Sequence, residues 1–125
     1  MFAKINRLTK DKDFDNVFQN GKSSYDKIIG VKAAANQQKN SRFGILVSAK
    51  VSKKAVERNV IKRRIREALK PQSVKIAESR DVIIIAFPAI LGKSYQDVEQ
   101  SIIRHFKRLG LLKLEISSRG GSSSG

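Results

Sequence analysis

Residues 50–70, KVSKKAVERNVIKRRIREALK, join an apolar helical stripe to a dense run of positive charge. This stretch holds nine of the chain's 26 Lys and Arg residues, against only Glu57 and Glu67. At 100° per residue, Ile61, Ile65 and Leu69 fall on one side of a helix and most of the basic side chains fan over the other. The segment predicts a helix that docks on a core with one side and meets phosphates with the other.

The alternative reading of this helix is a charged face that is merely solvated. Arg58, Lys62 and Arg66 follow one another at i, i+4 spacing, and like charges at that spacing destabilise an isolated helix by a few tenths of a kcal/mol per pair. A chain without an anionic partner gains nothing from such a row. The charge density therefore favours binding of a polyanion, and Arg64 points away from this basic fan.

Composition points the same way. The 125 residues carry a net charge of +15, with a sequence pI of about 10.5, which favours nucleic acid as partner over a membrane surface. There is no Cys, no apolar run long enough to span a membrane and no signal peptide, so we expect a cytoplasmic protein. Residues 1–112 are predicted to form one domain. Residues 113–125, which end in GGSSSG, are predicted to be a disordered tail with the composition of an expression remnant.

The first half of the chain predicts a helix and two strands. A helix over residues 6–20 is expected to be capped by Thr9 and to end at Gly21. Residues 27–36 and 42–51 read as strands, and the polar turn between them predicts a hairpin.

The second half predicts a strand and a helix after the basic helix, which Pro71 should stop or kink. The unbroken apolar run within residues 81–87 is typical of a strand in the middle of a sheet. A last helix should begin after Ser94, with Asp97 completing its cap, and should end at Gly110. The order of helix, two or three strands, basic helix, strand and helix predicts an α+β layer with helices packed on one small sheet.

Groups that could catalyse a reaction are scarce. The one histidine, His105, lies inside the last predicted helix and is expected to be a surface or packing residue rather than a general base. No glycine-rich phosphate loop is present, and no acidic residues converge on a metal. Phe14 and Phe18 share a face of the first helix, where core packing and stacking on unpaired bases are equally compatible with the spacing.

Three segments match a known pattern. Residues 55–67, AVERNVIKRRIRE, fit A-V-x-R-N-x-x-K-R-x-x-R-E, residues 7–18 fit R-L-x-x-x-x-D-F-x-x-V-F, and residues 81–86 fit a later buried strand. The chain thus resembles the bacterial ribonuclease P protein subunit family over roughly residues 5–112. The resemblance implies a two-layer α/β sandwich around a four-stranded sheet in the order α-β-β-β-α-β-α, with a left-handed crossover.

The resemblance also implies a function. Such a subunit binds the catalytic RNA of ribonuclease P and the 5′ leader of precursor tRNA, and it assists endonucleolytic removal of the leader. Chemistry belongs to the RNA subunit, which binds most of the Mg²⁺, and no protein partner is required. The runner-up is a general RNA-binding or ribosomal protein without a leader cleft, and a nuclease that acts alone is a third reading.

Carried onto this chain, the resemblance implies two sets of site residues and no catalytic or metal-binding residue. The RNA subunit would be contacted by Lys53, Lys54, Arg58, Asn59, Lys62, Arg63 and Arg66. The leader would be contacted by Phe14, Phe18 and Lys32. Lys32 stands where the family often has an aromatic residue, so we expect it to meet a leader phosphate instead of stacking on a base.

Overall fold

The computed structural model describes residues 7–36, 38–76 and 79–112, and it confirms the order α-β-β-β-α-β-α within them. The regular elements are α1 (Asp11–Asn20), β1 (Lys22–Tyr25), β2 (Ile29–Ala35), β3 (Arg42–Leu46), α2 (Ala55–Ser73), β4 (Arg80–Ala86) and α3 (Tyr95–Arg108). A short 3₁₀ turn, Pro88–Ile90, joins β4 to α3. No helix of the described residues is long and apolar enough to cross a membrane. The predicted tail lies outside them.

The four strands form one sheet in the order β1-β2-β4-β3. The predicted central position of β4 is confirmed, since it lies between β2 and β3 and its Val82, Ile83 and Ile84 have no exposed surface. The predicted hairpin between residues 27–36 and 42–51 is wrong. The most apolar strand takes the centre of the sheet and separates the two, and β3 instead runs parallel to β4 with α2 as the crossover.

Helices cover the two faces of the sheet unequally. On one face α2 and α3 pack over the main core, whose members include Val31, Ile65, Leu69, Ile84, Ile102 and Phe106. On the other face α1 lies over a smaller cluster of Leu8, Val17, Ala34 and Ile83, with Phe14 and Ile85 against it. Because α1 has only ten residues, it leaves part of its face uncovered.

The predicted start of the first helix is wrong. The helix begins at Asp11, and Lys10, which precedes it, makes no side-chain cap, so Thr9 is not the capping residue. Upstream, Arg7 forms a bridge with Phe43 of β3, and the Leu8 N–H donates to the Phe43 carbonyl at 2.9 Å. Those backbone groups pair with the sheet and are unavailable for a helical turn.

The ends of α3 and the end of α2 can be compared with the boundaries predicted from local sequence. At α3 the predicted cap is confirmed, because Ser94 Oγ accepts from the Asp97 N–H and an Asp97 carboxylate oxygen accepts from the Ser94 N–H, both at 3.1 Å. Gly110 follows the helix with a φ of +67°. At α2 the helix continues past Pro71 to Ser73, since a proline in the last turn removes only one hydrogen bond near the end.

Candidate RNA interface

The basic side of α2 is built as its periodicity predicts. The helix buries Ile61, Ile65, Ala68, Leu69 and Gln72, and this fixes which side chains face outward. Asn59 and Arg63 are exposed, and Lys62 and Arg66 are half-buried. Within the described residues, no carboxylate lies within ion-pair distance of Lys62, Arg63 or Arg66. This side therefore presents uncompensated positive charge.

The loop before α2 is held by the helix itself. Arg58 is half-buried and its Nη1 donates to the Ser52 carbonyl at 2.9 Å. Ser52 Oγ also accepts from the Lys54 N–H at 3.1 Å and donates to Glu57. Lys53 and Lys54 are exposed on this loop, so a fixed backbone carries them beside the basic side of α2.

Arg64 lies on a different side of α2, as the helix wheel indicates. Its Nη1 donates to the Lys93 carbonyl in the loop before α3 at 3.2 Å. Nearby, the Tyr95 hydroxyl approaches the Glu67 carbonyl at 3.4 Å. Arg64 thus packs against the loop to α3, away from Lys62.

A pocket connects α2 to the sheet face under α1. It is lined by Arg7, Leu8, Thr9, Phe14, Phe43, Gly44, Ile45, Lys62 and Arg66. Phe14 lies at its floor, over Gly44: a Cβ at residue 44 would lie 2.8 Å from two carbons of the Phe14 ring. Phe14 is half-buried and also packs in the small cluster under α1, so it serves core and pocket together.

Helix α1 leaves part of this sheet face uncovered, and we call that part the open face. The strand register places its residues on one side of the sheet: Tyr25, Gly30, Lys32, Ile85 and Leu46. Phe18 of α1 borders it and is 42% exposed. The Lys32 ammonium lies 5.7 Å from the centroid of the Phe18 ring and donates to Ser23 Oγ at 2.9 Å. Phe18 and Lys32, both of which were predicted to contact the leader, are therefore neighbours.

Sequence reasoning missed Tyr25 and Phe87. Tyr25 is 50% exposed on the open face, and its ring centroid lies 6.1 Å from that of Phe87. The Lys32 ammonium is 5.7 Å from the Tyr25 ring as well. Hydrogen bonding with Ser23, and then with Lys32, lowers the pKa of the Tyr25 hydroxyl. One signal was present: Asp26, a turn former directly before the predicted strand 27–36, could have indicated a turn there and a further strand, β1, ahead of it.

His105 occupies a buried packing position on the opposite face of the sheet. Its Nδ1 lies 2.7 Å from Ser24 Oγ, and its Nε2 lies 3.0 Å from the Ile29 carbonyl and 3.1 Å from Asp26 Oδ2. Burial lowers the pKa of His105, although the Asp26 carboxylate acts in the opposite direction. Since the imidazole has no exposed surface, it holds β1 and β2 onto α3 and does not reach a substrate.

Asp26 organises the turn between β1 and β2. Its Oδ1 accepts from the N–H groups of Ile28 and Ile29, both at 2.9 Å, and its Oδ2 accepts from Ser101 Oγ at 2.6 Å and from Arg104 at 3.2 Å. Burial alone would raise the pKa of this carboxyl, but these hydrogen bonds outweigh burial and lower it to about 2. Across residues 7–36, 38–76 and 79–112, no group of three or more His, Cys, Asp or Glu residues is placed to hold a metal ion.

Comparisons with known proteins agree with this architecture. The sequence profile of the family described as Ribonuclease P matches residues 2–110. The ribonuclease P protein component of Bacillus cereus strain B4264 is 35% identical over 113 residues, which cover 90% of this chain and 97% of the relative. That of Bacillus anthracis is 34% identical over 117 residues, covering 93% and 98%.

Solved structures show the same fold. The Staphylococcus aureus RNase P protein superimposes with a TM-score of 0.77 at 30% identity, covering 88% of this chain and all of that one. The Thermotoga maritima protein gives 0.73 at 28% identity, covering 82% and 96%. The motif of α2, the sheet order and these likenesses converge: this chain belongs to the ribonuclease P protein family.

Proposed function

We propose that this chain is the protein subunit of ribonuclease P, which binds a catalytic RNA and the 5′ leader of precursor tRNA during 5′ maturation. The observation that carries the proposal is the continuity of two surfaces. The basic side of α2 meets the sheet face under α1 at the pocket that Lys62, Arg66 and Phe14 line together, and the open face is the part of that same sheet face that α1 leaves uncovered. A protein with that arrangement can hold one RNA on a helix and guide a single strand along the sheet.

The two surfaces differ in chemistry, and this supports a division of roles. We assign the α2 surface to the RNA subunit, because its Lys and Arg side chains suit phosphates. Its residues are Lys53, Lys54, Arg58, Asn59, Lys62, Arg63 and Arg66. We assign the leader to Phe14, Phe18 and Lys32, since rings that are at least partly accessible near cations suit an unpaired strand.

Hydrolysis itself is assigned to the RNA subunit, with Mg²⁺ bound mainly there. The groups gathered at the proposed interface are cations and aromatic rings, which bind phosphates and bases. In this assignment the protein's contribution is affinity and orientation of the substrate.

The test is a cleavage assay with three mixtures: precursor tRNA with the protein alone, with a bacterial ribonuclease P RNA alone at low Mg²⁺, and with both. We expect cleavage at the mature 5′ end to be strong only in the third mixture. Cleavage by RNA-free protein would instead indicate a nuclease that acts alone. Equal binding of precursor and mature tRNA by the complex would favour a general RNA-binding protein.

A further inference from the structure

We propose that Tyr25 is a base-stacking side chain of the open face and that Gly30 allows it to lie there. The inference rests on the proposed function, and it names a residue on β1 that reads the single-stranded leader.

Tyr25 and Gly30 are directly paired across β1 and β2. A Cβ at residue 30 would lie 2.5 Å from Cδ1 and 2.8 Å from Cε1 of the Tyr25 ring, and 2.9 Å from Cζ of Phe87. Any side chain at residue 30 would therefore displace the ring. The absence of a side chain lets Tyr25 lie against the sheet beside Phe87, so that half of the residue remains available to a ligand.

The surroundings of the ring define its ligand. Lys32 places its ammonium between the Tyr25 and Phe18 rings, at 5.7 Å from each centroid, and Ser23 holds it there. A flat aromatic surface next to a fixed cation complements a base and its adjoining phosphate. Because the chain has a net charge of +15, an anionic single strand is favoured over a neutral or cationic peptide on this face.

The buried side of the same hairpin keeps Tyr25 in place. Ser24 points to the opposite face and meets His105, and Asp26 binds Ser101 and Arg104 of α3. β1 is an edge strand that pairs only with β2 in the sheet, so these contacts supply the restraint that a second neighbouring strand would give. The ring is consequently positioned before the leader arrives, which reduces the entropy lost on binding.

The experiment uses the complex of this protein with a bacterial ribonuclease P RNA. The dissociation constants for precursor tRNA and for mature tRNA are measured. The constant for mature tRNA divided by that for precursor tRNA, called the leader ratio, reports the contribution of the leader. Tyr25→Ala should reduce that ratio by roughly 5- to 150-fold, the range for loss of one base–aromatic stack, while affinity for mature tRNA is unchanged. Tyr25→Phe should retain it within about threefold, because the stacking face is kept.

Two further variants make the result specific. Tyr95, the chain's other tyrosine, is 41% exposed at the start of α3, and Tyr95→Ala should leave the ratio unchanged. Gly30→Ala should lower the ratio in the parent, since its methyl group displaces the Tyr25 ring. The same substitution should have no further effect when Tyr25 is already alanine.

The outcomes separate this inference from the function on which it rests. If the parent complex shows no preference for precursor over mature tRNA, the proposed function itself fails. If the parent shows the preference and folded Tyr25→Ala retains it, Tyr25 is not a stacking residue. A concentration-dependent dimer of the parent that Tyr25→Ala abolishes, with the leader ratio intact, would mark the face as a contact between copies and overturn the inference.

Discussion

Arg42 of β3 and Asp81 of β4 are joined by two hydrogen bonds, 2.9 Å from Nε to Oδ1 and 2.6 Å from Nη2 to Oδ2. The same guanidinium donates to Asp13 of α1 at 3.1 Å. One arginine therefore ties α1 to two strands of the sheet. Because α1 packs on only a small apolar cluster, the contact between Arg42 and Asp13 is a second interaction that holds this helix on the sheet.

Arg42→Ala should lower the free energy of unfolding by about 2–4 kcal/mol. The Asp81 side chain is only 3% exposed, so its carboxylate would keep one bond from Asn36 but lose its charged partner. Urea denaturation of parent and variant measures the change. Arg42→Lys should lie between them, since it retains the charge without the paired bonds. A loss below about 0.5 kcal/mol for Arg42→Ala would show that the contacts of Arg42 with Asp81 and Asp13 do not stabilise the fold.

Asp26 should make the stability of the fold depend on acidity. Its pKa is about 2 in the folded chain, against 3.8 for an unperturbed aspartate, so the folded state favours the carboxylate. The resulting stability, ~2 kcal/mol, is complete above about pH 4 and is lost as the pH falls toward 2. Urea midpoints between pH 6 and pH 2.5 should fall less steeply for Asp26→Asn than for the parent. Asp15→Asn, at an exposed position on α1, should keep the parental slope.

Removal of a phosphate contact on α2 should flatten the dependence of RNA-subunit affinity on salt. For Lys62→Ala and Arg66→Ala, the slope of log affinity against log salt should decrease by up to about 0.7–0.9 each. Stability should change by less than about 0.5 kcal/mol, because relief of repulsion along the row offsets lost contacts. Arg64→Ala is the control, since Arg64 binds the Lys93 carbonyl on another side of the helix. Equal effects from all three substitutions would disprove the assigned face.

Substitutions of Phe14 and Phe18 should differ in their effects, with the first lowering stability and the second weakening leader binding. Phe14→Ala should cost about 2–4 kcal/mol of unfolding free energy, because its half-buried ring packs on Gly44 and the cluster under α1. Phe18→Ala should cost less than about 1 kcal/mol and instead weaken leader binding by ~1–3 kcal/mol. Thermal unfolding combined with leader-binding assays checks both. Indistinguishable stabilities for the two variants would contradict the placement of Phe14.

Features that one short segment decides could be predicted from the sequence. The apolar run around Val82–Ile84 required a central strand, and Ser94 with Asp97 specified the start of α3. In α2 the spacing of Ile61, Ile65 and Leu69 determined which side of the helix is buried, and this also oriented the basic side chains. In each case the interactions lie within a few residues of one another along the chain.

The features that were missed depend on partners distant in sequence. Residues 7 and 8 are extended because Phe43 offers them hydrogen bonds, and nothing near them indicates this. The KSSY segment of β1 lacks the branched residues typical of strands, and its Ser24 is held by His105, 81 positions away. Tyr25 joins the open face only through the register that sets it over Gly30, which the wrongly predicted hairpin concealed.

The central position of β4 also determines when the molecule can fold during its own synthesis. Among the strands of the sheet, β3 pairs only with β4. It can therefore join the sheet only after residues 80–86 have left the ribosome. Helix α2, with its dense positive charge, has been synthesised by then. Insertion of β4 between β2 and β3 closes long stretches of chain, which is the slow kind of step in folding. A nascent chain that ends before Arg80 thus displays the cations of α2 with no completed sheet beside them.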